Sequence, residues 1–191
     1  MIYHFISFKA FLRLAITVIL LTFLVNTSYA RPNIAYEYQL KAVFLYNFVY
    51  FVRWPPIAFS KKYANFNICV LGKDPFEKEL DMAVENETVD RRIVKIIRLK
   101  YITDANNCQI LFVSKSERNN LHKIYAYLKK YPILTVSDIN NFAINGGMIE
   151  FYNIGKRVRF YIAPNNAKAV GLKISANLLY IAKLVGYEKN F

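Results

Sequence analysis

The sequence predicts an α/β fold, a single three-layer domain whose mixed β-sheet is flanked by helices and preceded by a cleaved signal peptide. Three observations predict it. First, the runs FNICVL (Phe66–Leu71), QILFVS (Gln109–Ser114) and PILTVS (Pro132–Ser137) are short and almost wholly apolar. Continuous rather than alternating apolarity marks strands covered on both faces. Second, helical patterns fall between those runs. Third, a hairpin pattern follows the last of them, which makes the sheet mixed rather than purely parallel.

The chain begins with a segment of another kind. Lys9 and Arg13 precede the uncharged run Leu14–Val25, and Ser28 and Ala30 occupy the small-residue positions a signal peptidase requires. Twelve helical residues rise about 18 Å, well short of a hydrocarbon core of roughly 30 Å. The run therefore reads as a cleaved secretory signal rather than a permanent anchor. Cleavage is expected after Ala30, leaving residues 31–191 as one exported domain, periplasmic in location. No cysteine follows the run to carry a lipid.

The first element of that domain is the stretch KAVFLYNFVYFVRWPP, Lys41–Pro56, in which Asn47 is the one strongly polar residue from Ala42 to Val52. Placed at 100° per residue it divides into two sides. Phe44, Leu45, Phe48, Val49, Phe51 and Val52 share an apolar arc, with Lys41 at its start. Tyr46, Asn47, Tyr50 and Arg53 fall opposite, with Val43 and Trp54 near the edge. Tyr46, Tyr50 and Arg53 form a stripe of aromatic bodies with polar tips, the chemistry of interfaces and of clefts that receive a planar or anionic group. The competing reading is that these tyrosines cover the domain's own loops and that Arg53-Trp54-Pro55-Pro56 stops the helix.

After the first strand, DPFEKELDMAV reads as a helix with Asp74 as N-cap and Pro75 at the first helical position. RRIVKIIRL, rich in β-branched residues, reads as an exposed strand. ERNNLHKIYAYLKK is a helix with Leu121, Ile124, Tyr125 and Leu128 on one side and lysines in its last turn, where the helix dipole favours cations. GGMIEFYNIGKRVRFYI is a hairpin about Asn153–Lys156, with Gly155 supplying a positive φ. Its second strand points Arg157, Arg159 and Tyr161 one way, and Val158, Phe160 and Ile162 the other. The chain closes with NNAKAVGLKISANLLYIAKLV, expected as one long helix with Ile174, Leu178, Ile181 and Val185 as its core stripe.

Removal of Lys9 and Arg13 with the signal lowers the formal charge from +13 to +11. The basic residues are spread thinly, and an exported protein seldom meets nucleic acid, so the charge reads as a basic surface suited to an acidic partner or anionic headgroups. Cys69 and Cys108 both lie in the exported part. In an oxidising compartment they are a candidate disulfide. The alternatives are two buried thiols or a pair of metal ligands, for which His122 is the only further His or Cys in the exported chain.

The usual catalytic constellations are missing. VLGKDPF sits where a nucleotide-binding loop would sit but has one glycine rather than the spaced set that wraps a pyrophosphate, so it reads as a strand-to-helix turn. There is no G-x-S-x-G elbow. His122 lies beside Lys123 on a polar helix face. The acids Glu79, Asp81, Glu85, Glu87 and Asp90 alternate with bases and read as a solvated face. Gly146 and Gly147 mark a turn entering the hairpin. A binding or regulatory protein without cofactor or metal fits better than an enzyme.

Taken in order, KAVFLYNFVYFVRWP, ICVLGKDPF, CQILFVS, PILTVSD with FAINGGMIEF, and RVRFYI with AKAVGLKISANLLYIAKLV resemble the YfiR family, over residues 38–185. The resemblance implies a compact α/β domain, often a homodimer. It would bind the periplasmic region of a membrane-bound diguanylate cyclase, hold the cyclase off and release it under redox or envelope stress, which raises cyclic di-GMP. Cys69 and Cys108 fall where that family carries cysteine, which strengthens the disulfide reading. Glu77 stands where a glycine is common, and Ala163 where an asparagine is common, which puts in doubt a cap on the final helix. The residues expected to meet a partner or ligand are Tyr46, Tyr50, Arg53, Trp54 and Arg159. The alternative function is a periplasmic sensor or carrier of a small ligand, with Tyr50, Arg53 and Arg159 lining its cleft.

Overall fold

The computed structural model describes residues 32–61 and 64–186, so the signal and its cleavage site lie outside the described residues. The chain divides into two compact units, Met1–Tyr36 and Glu37–Phe191. Of the first, only the start of a helix is described.

That helix, α1, spans Pro32–Phe51. The chain continues through β1 (Val52–Arg53), a 3-10 turn at Pro56–Ala58, β2 (Phe66–Leu71), α2 (Glu79–Ala83), β3 (Thr88–Val89) and β4 (Arg92–Leu99). Then come a 3-10 segment at Ile102–Asn107, β5 (Ile110–Val113), another at Lys115–Asn120, α3 (Leu121–Leu128) and β6 (Leu134–Ser137). The hairpin β7 (Ile149–Ile154) and β8 (Arg157–Ile162) follows, then α4 (Pro164–Ala169), β9 (Lys173–Ile174), α5 (Ala176–Ile181) and β10 (Lys183–Leu184). The main sheet runs β10-β8-β7-β6-β5-β2-β4-β3, and β1 pairs with β9 in a separate two-stranded ladder. From β7 to β4 all neighbours are parallel, whereas β8 against β7 and β3 against β4 are antiparallel. The sheet is mixed, as the sequence predicts.

Every residue of β5 and β6 is buried, which is why those runs carry no alternation. One face of the sheet meets α1. Phe48 stacks on Phe151 at 5.9 Å between ring centroids and meets Phe160 edge-on at 5.7 Å, while Phe44 meets Phe160 at 5.8 Å. Phe76 and Leu80 extend that core, and each large side chain buried there contributes about 1.5–3 kcal/mol. The other face is thinner. Ile124 and Leu128 of α3 and Phe142 cover Cys69, Leu71, Leu111 and Val113. Cys69 and Cys108 form a disulfide there, with Cα atoms 5.9 Å apart, joining β2 to the entry of β5. The thiol and metal-ligand readings of these cysteines are thereby set aside.

Two expectations about helices are corrected. Asp74 does not cap a helix; its carboxylate accepts the Phe76 N–H at 2.8 Å in a local turn. Glu77 then takes a left-handed φ of 52°, so the helix starts only at Glu79. A glycine, the residue common at this position in the family the chain resembles, would take that φ without strain. The closing segment is not one long helix. Gly171, at φ 81°, ends α4 within two residues, β9 pairs with β1, and Ser175 caps α5 by accepting the Leu178 N–H. Of the expected stripe only Leu178 is buried; Ile174 and Val185 are half-buried, and Ile181 is exposed. Ala163 stands at the N-cap of α4 without a side-chain bond, and Pro164 opens the helix instead. The hairpin matches its expectation, with Ile154 opposite Arg157 and Gly155 at φ 57°.

Candidate functional site

Helix α1 delivers one constellation from its middle and another at its C-terminal end. At its middle Lys41 is 2% exposed although it is charged. The apolar arc predicted for α1 carries it inward, and Asp138 meets it from the end of β6. One carboxylate oxygen of Asp138, Oδ2, accepts the Lys41 ammonium at 2.7 Å and the Tyr38 hydroxyl at 2.8 Å, with Lys115 Nζ at 3.3 Å. Glu37 pairs with Lys41 one turn away. Asp138 Oδ1, equally buried, has no hydrogen-bond partner among the described residues. Burial alone pushes the Asp138 carboxyl up, but the charge and hydrogen bond of Lys41, the Tyr38 hydroxyl and the Lys115 charge outweigh it and hold the group below the usual carboxylate range.

Loops from three strand ends close this edge of the sheet. Ser114 Oγ donates to the Lys73 carbonyl at 2.6 Å, and Ser116 Oγ accepts the Lys73 N–H at 2.9 Å. Ser116 and Glu117 occupy the space beside Gly72, so the protein's own side chains fill the place where a nucleotide loop would open.

The far end of α1 gathers the predicted stripe only in part. Tyr46, expected on the exposed side, is 8% exposed. Its hydroxyl donates to Glu87 Oε2 at 2.8 Å and lies 2.5 Å from the Tyr50 hydroxyl. Burial first, and then the bonds to Tyr50 and Glu87, push its phenol well above the usual range. Tyr50 is 58% exposed and crosses the Tyr46 ring edge-on. Arg53 is exposed on β1, directly opposite Lys173 of β9. Tyr50, Phe51, Arg53, Lys173, Ile174 and Ser175 enclose a small cavity of about 300 Å³. The ladder that builds it is tied to the helix end, where the Ser175 N–H donates to the Phe51 carbonyl at 2.8 Å.

Two predicted residues stand elsewhere. Trp54 donates its indole N–H to the Gln109 carbonyl at 2.9 Å and sets its ring edge-on to Phe66 at 4.9 Å, so its polar tip and ring face are engaged within the fold. Arg159 projects from the face of the hairpin opposite Phe160, away from α1, and its guanidinium bonds the neighbouring Val158 carbonyl. It does not join Tyr50 and Arg53.

Like charges directly opposite each other on an antiparallel pair are destabilising. Arg53 and Lys173 are such a pair, on a cavity whose lining includes no carboxylate. The nearest acid in hydrogen-bond sequence, Glu87, is reached only through Tyr46 and Tyr50. This corner can therefore accept an anionic group between two cations, beside an exposed phenol ring. Sequence reading did not find Lys173, because the expected long helix hid its strand. It also passed over Lys41 and Asp138. A lone cation on an otherwise apolar helix arc was the available signal, since a buried lysine requires an acid nearby.

Among the described residues no group of three or more His, Cys, Asp and Glu side chains is placed to hold a metal ion, and no helix is long and apolar enough to cross a membrane. No curated protein matches the chain. A family model does match, over residues 38–183, from the tyrosine that donates to Asp138 to the first residue of β10. The disulfide, the charged pair and the Tyr50–Arg53 corner all lie within that span, and the chain belongs to the YfiR/HmsC-like family.

Proposed function

We propose that this protein is a periplasmic repressor that binds the periplasmic sensor region of an inner-membrane diguanylate cyclase and lowers its cyclic di-GMP output. Membership of the YfiR/HmsC-like family carries the reading. The Tyr50–Arg53–Lys173 corner supplies its contact surface, since two facing cations and an exposed ring suit an acidic segment of a partner. Repression needs no chemistry. The protein binds the inactive conformation of the cyclase more tightly than the active one, and a tenfold preference corresponds to about 1.4 kcal/mol.

Release under reductive stress acts through Cys69–Cys108, which is buried and joins β2 to the entry of β5, when an external dithiol reduces the bridge to two thiols and is itself oxidised to a disulfide. Opening it frees a loop with a sequence separation of 39 residues, a loss of about 4 kcal/mol in the chain-entropy account. The Cys69→Ser/Cys108→Ser variant is expected to be exported but to melt well below the parent and to repress less. Full repression by a folded double variant contradicts a redox role.

Crosslinking of the exported protein in intact cells, followed by identification of what it captures, tests the partner. Capture of a membrane protein with a periplasmic segment and a diguanylate cyclase domain is expected. Capture of other proteins alone, in repeated preparations, would reject it. The cavity of about 300 Å³ favours one second reading, a sensor for a small anion at the same corner. That reading requires a saturable small ligand and a phenotype that survives loss of the cyclase.

A further inference from the structure

A second cleft lies away from both constellations of α1. It is an opening of about 530 Å³ between α3 and α4, within the range of small-molecule sites. Its apolar lining includes the Tyr125 ring, Leu128 and Met148, the last two buried. Five polar side chains line it: Thr135, Lys129, His122, Asn145 and Asn166, the last donating its amide N–H to the Gly147 carbonyl at 2.7 Å. Thr135 is buried on β6; its Oγ1 accepts the Met148 N–H at 3.0 Å, and its own hydroxyl proton has no acceptor among the described residues. A buried hydroxyl with a free donor calls for an oxygen. Lys129 and His122 stand exposed at the mouth, one a cation and the other carrying a ring N–H donor. No carboxylate lines the cleft.

We propose that this cleft binds an apolar monocarboxylate. The hydrocarbon body covers Tyr125, Leu128 and Met148, which removes their apolar surface from water. The carboxylate lies toward Lys129 and His122 at the mouth, or accepts from Thr135 at the base; both orientations place an anionic oxygen beside a donor. A cationic amphiphile of the same length finds no acid to pair with and meets the Lys129 charge. His122, which the sequence places on an ordinary polar face, thereby acquires a role.

The test uses the exported protein with its disulfide intact and decanoate as the ligand, with decylamine as the control of opposite charge. Calorimetric titration is expected to show one saturable decanoate site per chain and at least tenfold weaker decylamine binding. Ala126 and Ala169 are exposed and line opposite walls. Ala126→Trp, and separately Ala169→Trp, should each reduce decanoate affinity at least tenfold with an unchanged melting temperature. Lys129→Glu should weaken it about threefold or more, the scale of an exposed ion pair. Tyr50→Ala/Arg53→Ala should bind decanoate as the parent does, which separates this site from the cyclase-binding corner. Absence of a saturable decanoate site, equal binding of decylamine, or undiminished binding by both tryptophan variants overturns the proposal.

Discussion

The middle and the C-terminal end of the first helix carry similar side chains to opposite outcomes. At Lys41 a cation and a tyrosine neighbour are turned inward and locked on Asp138. At Tyr50 and Arg53, three turns further, a tyrosine and a cation face outward, and the nearest charge across the ladder is another cation. The first cluster pairs its charges within the fold and is structural. The second leaves its positive charge for something else to satisfy, which is what distinguishes a contact surface from a core.

The largest effect expected from this difference is at Lys41. Lys41→Met leaves the buried Asp138 carboxylate with only the Tyr38 hydroxyl and the more distant, exposed Lys115 ammonium, and loss of one partner of a buried pair costs up to about 3–5 kcal/mol. Replacing both, as Lys41→Met/Asp138→Leu, should recover much of that loss. Chemical denaturation of the two variants checks both statements, and equal destabilisation by each would show that the pair is more than a matched charge. Tyr46→Phe comes next. It removes the hydroxyl that joins Glu87 to Tyr50, and a lowering of stability by about 1 kcal/mol is expected by the same measurement.

Acid should act on the Lys41–Asp138 cluster. Folding lowers the Asp138 carboxyl below its ordinary value, against its own burial, through Lys41, Tyr38 and Lys115. Glu37 is lowered too, where the bonds from Lys41 and Asn153 overcome its burial. Both groups bind a proton more weakly folded than unfolded. Their stabilisation is therefore complete above the ordinary carboxylate range, near pH 4, and is lost as pH falls through the lower folded values. Denaturation midpoints measured between neutral pH and pH 3 should fall steeply for the parent and more gently for Asp138→Asn.

Much of the architecture is legible in the sequence because burial on two faces leaves a plain mark. FNICVL, QILFVS and PILTVS have no alternation to confuse them, and the hairpin carries its own turn residue. The final segment misleads because AKAVGLKISANLLYIAKLV keeps a helical spacing across a real break. Gly171 and Ser175 are a stop and a start that hydrophobic period alone overlooks. Tyr46 misleads for a different reason. A wheel assigns sides by angle, and it has no means of knowing that residues from α2 to β3 cover the tyrosine side as well; Glu87 arrives from that segment. The candidate corner is half legible: α1 and β1 supply Tyr50 and Arg53, which the wheel finds, while Lys173 comes from a strand whose pairing is set by the tertiary fold.

The smallest expected effect on folding is also the most informative for function. Tyr50→Ala/Arg53→Ala alters exposed side chains and should change stability by about 0.5 kcal/mol or less per site. Cyclic di-GMP, measured in cells lacking this gene and supplied with equal exported amounts of parent or variant, tests the central claim most directly. The account predicts high cyclic di-GMP without the gene, low levels with the parent, and levels with the double variant close to those without the gene. Full repression by the variant, or no rise when the gene is removed, would contradict it.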